Sequence, residues 1–141
     1  MTIVDVLLPL FVEVTLTFVL GFWLFGLRVS AVRSGQVGAQ EAASREPNWP
    51  PRVLQISDAF HNQLELPLLF YVLTILAWIT RHADLLFVLL AWVFVVLRLL
   101  HAYVHVTSNH LRQRAMLFVS AAIVLAVMWT IFMVRIVLRL P

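Results

Sequence analysis

Four apolar stretches, each long enough to cross a lipid bilayer, constrain this chain more than any other feature. A spanning helix needs about 20 apolar residues at roughly 1.5 Å of rise each, and Ile3–Leu27, Ala59–Thr80, Ala83–Val106 and Ala115–Val134 all qualify. With 62% of its 141 residues hydrophobic and only 12% charged, the chain has too little polar surface to cover a soluble domain. The expected fold is therefore all-α: an integral membrane four-helix bundle of up-down topology, one domain over 1–141, with helices at about 3–27, 58–80, 83–106 and 114–138. The first span is expected to be retained. No basic residue precedes it, no small-x-small cleavage site follows it, and Asp5 and Glu13 lie inside it.

The arginines give an expected orientation. Arg28, Arg33, Arg45 and Arg52 lie between the first two spans and Arg112 and Arg114 between the last two, against Arg81 and Arg139 on the other side. By the positive-inside rule, loop 28–57 is cytoplasmic and both termini lie outside, in a membrane such as the bacterial inner membrane. All 10 basic residues are arginine, but no basic run interleaves with aromatics, which argues against nucleic acid and for contact with the lipid bilayer. Cysteine is absent, so disulfides, cysteine metal sites and a protein thiol nucleophile are excluded. Any sulfur chemistry must come from a substrate or cofactor.

Polar residues interrupt the second and third spans in register. Read as one continuous helix, the second places Asp58, Asn62 and Glu65 on one face, with Gln55 a turn further out. The third places Arg98, His101 and His105 on one face, continuing through Asn109 and Arg112. The link around Arg81–Asp84 is short enough to make the two spans antiparallel neighbours. Pairing by depth then sets Glu65 opposite Arg98, Asn62 opposite His101 and Asp58 opposite His105. A charge near the bilayer centre costs about 3 kcal/mol on insertion scales, so Glu65 and Arg98 are expected to face each other inside the bundle. Two residues could serve as a register pin, whereas a stripe of six opening toward the cytoplasm suits a cleft for a charged ligand. Glu13 and Arg135 are expected to pair toward the outer side.

At these residues the chain resembles the MAPEG family, the membrane-associated proteins in eicosanoid and glutathione metabolism. Asn62-Gln63-Leu64-Glu65-Leu66-Pro67-Leu68-Leu69-Phe70-Tyr71 matches the family's Asn-x-x-Glu motif with its following proline and aromatics. Arg98, His101, His105, Arg112 and Arg114 match its third-span arginine pattern. The wording is most similar to bacterial members, many without an assigned reaction. The resemblance implies a homotrimer with the second helix near the axis, and a cytoplasm-facing cleft between protomers that takes glutathione as co-substrate. It implies that Asn62, Glu65, Arg98, His101 and His105 hold the tripeptide and that Arg112 or Arg114 stabilises its thiolate. A nearby guanidinium lowers a thiol pKa by favouring the anion. Three departures stand against this. Asp58 replaces an arginine that grips a glutathione carboxylate, His101 and His105 replace tyrosines, and Pro67 comes early. Arg28 and Arg52 are the auxiliary candidates for the missing carboxylate contact.

Three functions fit these residues. The first is a membrane-embedded transferase or peroxidase that uses glutathione, or a related thiol, on a small lipophilic substrate. The second is a non-catalytic membrane protein or binding module of the same fold. The third is a haem or metal protein using His101 and His105, with His61 approaching from the second span and Glu65 supplying oxygen.

Overall fold

The computed structural model describes residues 1–44 and 47–141. Its helices are α1 (Ile3–Arg33), α2 (Ala39–Ala42), α3 (Pro51–Asn62), α4 (Leu66–Ile79), α5 (Leu85–Val106) and α6 (Leu111–Val137). Four spans are long and apolar enough to cross a membrane: α1, α3 with α4, α5 and α6. Both termini and the α4–α5 turn share one end of the bundle, where the His82 ring meets the Leu140 carbonyl at 3.1 Å. The α1–α3 connection and the α5–α6 junction share the other, called here the loop end.

Local chemistry sets the helix ends. Thr2 and Asp5 form a reciprocal capping box at the start of α1. The Asp84 carboxylate caps α5 by accepting from the Phe87 N–H at 2.9 Å. Helix α4 closes in a Schellman turn: His82 N–H reaches the Ala77 carbonyl, Arg81 N–H reaches that of Trp78, and Arg81 takes a φ of 62°. The expected loop 28–57 is smaller than the sequence suggested, because α1 continues to Arg33 and α3 already begins at Pro51. Arg45 lies outside the described residues.

Helix α5 packs against α6, α1 and α3. The main core joins Phe70, Leu73 and Ala77 of α4 to Phe87, Ala91, Phe94 and Val95 of α5, with Val6 of α1 and Leu125 and Met128 of α6. The Phe70 and Phe94 rings stack at 4.8 Å between centroids. Outward faces are apolar too, with Phe22, Phe25 and Ile79 among the most exposed side chains. Such a surface requires lipid or a partner to cover it. Gly21 allows α1 to approach α3 closely, since a Cβ there would stand 3.1 Å from the Phe60 ring.

The second span departs most from its sequence reading. Expected as one helix over about 58–80, it is two, interrupted at Gln63–Glu65. Pro67 is the cause. It has no N–H for the Gln63 carbonyl four residues back, and its ring would collide with that oxygen. The chain tightens instead into three-residue steps: Gln63 N–H to the Phe60 carbonyl, Leu64 to His61, and Leu68 to Glu65. This shift turns Gln63 inward, where it is 1% exposed, and leaves Glu65 exposed.

Candidate functional site

The altered register changes the partner of Arg98. Arg98 is wholly buried on α5, and the acid facing it is Glu13 of α1, equally buried, with Nε to Oε1 at 3.9 Å. Both expected pairings are thereby corrected: Arg98 is not paired with Glu65, nor Glu13 with Arg135. The Glu13 contact is too long for a direct hydrogen bond, and Gln63 closes the gap. Its amide nitrogen donates to Glu13 Oε1 at 2.6 Å and its oxygen accepts from Arg98 Nη2 at 3.1 Å. Arg98 fixes this orientation, because a guanidinium only donates and so must meet the Gln63 oxygen, which leaves the amide nitrogen for Glu13. Arg98 Nη2 also donates to Asn62, to its carbonyl oxygen at 3.2 Å and to Oδ1 at 2.9 Å. It thus caps α3 at the break, adding a charged donor to a carbonyl that otherwise receives only a long bond from the Glu65 N–H, at 3.4 Å.

Arg135 pairs instead with Asp84, Nη2 to Oδ2 at 2.8 Å, at the terminal end of the bundle. Burial alone would push the Asp84 carboxyl up. The Arg135 hydrogen bond and the Phe87 N–H together outweigh it and hold the group below the ordinary carboxylate range.

Toward the loop end, His101 and His105 are both buried on α5, their rings edge to face at 5.6 Å, with Phe118 of α6 beside His101 at 6.0 Å. Their Nδ1 atoms have no hydrogen-bond partner among the described residues. His61 does not join them. It is exposed on α3, and its Nδ1 lies 2.7 Å from the Ser57 carbonyl. Among the described residues no group of three or more His, Asp or Glu side chains is arranged to hold a metal, which removes the geometric basis of the three-histidine reading.

The remaining candidates divide between surface and self-contact. Asp58, Glu65 and Arg112 are exposed. Arg114 is half-buried and donates to Asn109 Oδ1 at 2.7 Å. Arg28 donates to Ser57 Oγ at 3.2 Å and lies over the Trp49 ring. Arg52 donates to the Val106 carbonyl at 2.6 Å and lies over Trp23, while Gln55 donates to the His105 carbonyl at 2.8 Å. These last two residues cap the end of α5 and dock the first turns of α3 on it. The structure therefore brings Asn62 to Arg98 and His101 to His105. Gln63, passed over in the sequence, is the bridge, and its signal was Pro67 four residues on.

Four membrane-spanning helices in up-down order, with a broken second span and a buried arginine on the third, define an integral multi-pass membrane bundle with a polar interior at mid-depth. The chain belongs to the MAPEG family, whose model matches residues 6–134. No curated protein and no solved structure matches the chain.

Proposed function

We propose that this protein is a thiol-dependent transferase or peroxidase of the membrane, taking glutathione or a related thiol at the loop end and a lipophilic electrophile or hydroperoxide from the bilayer. The supporting observation is the exposure of Asp58 and Glu65 on the second membrane-spanning segment, on either side of a half-buried Asn62, with Arg112 exposed at the first turn of α6. Charged side chains do not face lipid at this density, so water, a ligand or a second protomer covers that surface. A homotrimer with α3 and α4 toward its axis would enclose it, and the arginine bias would turn its mouth to the cytoplasm. Arg112, exposed and without a carboxylate partner among the described residues, is the cation for the thiolate; Arg114, tied to Asn109, is the secondary one.

Titrating glutathione while following thiolate absorbance in the ultraviolet tests this. The parent should develop the signal, Arg112→Ala should lose it with the fold intact, and Arg114→Ala should reduce it less. No signal and no glutathione affinity at millimolar concentration in the parent would refute the enzyme reading. The second reading is a non-catalytic member of the family. It is favoured by the engagement of Arg28 and Arg52 with their own chain, which leaves the ligand carboxylate opposed by Asp58 without either of the two auxiliary arginines.

A further inference from the structure

Nothing else among the described residues covers one face of α1. Phe18, Phe22 and Phe25 recur along it at helical spacing, the first two stacked at 6.2 Å between ring centroids, with Phe22 72% and Phe25 68% exposed. The face is concave. Gly21 has no side chain to fill the space before the Phe60 ring, and a hollow of about 440 Å³ lies there, between Thr17 and Phe25. A second hollow, of about 470 Å³, begins at Phe25 and runs to Arg33, with Trp49 as its far wall. Each is within the ~300–1,000 Å³ of small-molecule sites. Because Phe25 belongs to both, they make one groove, roughly 24 Å long at 1.5 Å of rise per residue.

The two ends of the groove differ in charge. Its mid-membrane end is aromatic apart from Thr17 and Gly21, whereas its other end is lined by Arg28 and Arg33 and, among the described residues, by no carboxylate. The Arg28 side chain makes one hydrogen bond, to Ser57 Oγ, and its Nε has no partner among the described residues. Arg33 is exposed, and its side chain makes neither an ion pair nor a hydrogen bond among those residues. From Ile3 to Arg28 the helix rises roughly 37 Å, more than the ~30 Å of a hydrocarbon core, so both arginines reach headgroup level. The Trp49 ring under the Arg28 guanidinium, at 5.3 Å, suits the same depth. We propose that this groove binds an anionic phospholipid, its acyl chain along Phe18, Phe22 and Phe25 and its headgroup phosphate between Arg28 and Arg33. Guanidinium forks match phosphate oxygens, and the apolar floor takes the chain that free phosphate lacks. A zwitterionic lipid brings an ammonium that two arginines repel. The site goes beyond the thiol reading, and its test needs no glutathione.

Native mass spectrometry of the full chain tests this, after equilibration in nonionic detergent with equal amounts of phosphatidylglycerol and phosphatidylcholine of identical chains. The parent should retain phosphatidylglycerol about tenfold or more over phosphatidylcholine. Arg33→Gln changes an exposed side chain on which no packing depends, and should cut that preference about fivefold, the loss expected for one arginine at the membrane surface. Arg28→Gln combined with Arg33→Gln should abolish it. Arg139→Gln, the same change of charge at the terminal end, should leave it intact. Equal retention of the two lipids by the parent, or an equal loss in Arg139→Gln and Arg33→Gln, would overturn the proposal. Displacement of the lipid by soluble glycerol phosphate would overturn it too, by reducing the site to a phosphate site without a chain. Oligomers that carry no lipid would give the groove to a second copy of this chain instead.

Discussion

The two ion pairs among the described residues solve opposite problems. Asp84–Arg135 is short, at 2.8 Å, partly exposed, and made at a helix start where the carboxylate also caps α5. Glu13–Arg98 is longer, at 3.9 Å, fully buried, and completed only by the carboxamides of Gln63 and Asn62. In water a direct contact adds little, because solvent already serves both charges. In the membrane interior, removing either charge strands the other, so a looser pair within a hydrogen-bonded network becomes indispensable. Distance alone would rank them the wrong way round.

Substitutions can break that contrast in order of size. Glu13→Leu should be the most damaging, destabilising by about 3–5 kcal/mol as Arg98 is left buried and unpaired. Glu13→Leu with Arg98→Leu should recover much of the loss, measured by thermal or denaturant unfolding in mild detergent. Gln63→Leu should cost about 1–3 kcal/mol, since Glu13 and Arg98 each lose a hydrogen bond that water does not replace. Asp84→Asn should cost about 1 kcal/mol or less, because Arg135 reaches solvent and the asparagine still accepts from the Phe87 N–H.

The pair at the terminal end should also carry a pH signature. The folded Asp84 carboxyl lies below its ordinary value, so its contribution is fully present above about pH 4 and is lost as pH falls through the lowered folded value. Acid unfolding of the parent should therefore show a component that Asp84→Asn lacks. Identical acid profiles for the two would remove Asp84 from the account. Smallest of all, Gly21→Ala should shift stability by about 1 kcal/mol, as the Phe60 ring gives way to the new methyl group.

Hydrophobic length was enough to read the four spans, because about 20 apolar residues in a row have few other uses. The depth-matching of Glu65 with Arg98 failed for a local reason. It assumed an unbroken helix through Pro67, whereas the proline opens the ladder at Gln63 and turns Glu65 away from the interior. Glu13 was legible as an acid inside the first span, but it was expected to meet Arg135 toward the outer side and not Arg98. Nothing in the sequence says that α1 lies against α5, although the two run in the same direction and each carries its charge near mid-depth. Asp84 read as part of a short turn, and only the cap it makes on α5 shows why it is fixed close to Arg135. The engagement of Arg28 and Arg52 was equally hidden, since it depends on how α3 docks on α1 and on the end of α5.

A pair of double-mutant cycles tests the central claim most directly: Arg98→Leu combined with Glu13→Leu, and Arg98→Leu combined with Glu65→Leu, both read as unfolding free energy in one detergent. Arg98 and Glu13 should couple strongly, with the double variant far more stable than the summed single losses imply, and the losses for Arg98 with Glu65 should be near-additive. Strong coupling to Glu65 with additivity at Glu13 would contradict it, and would restore an unbroken second helix with Glu65 facing the interior.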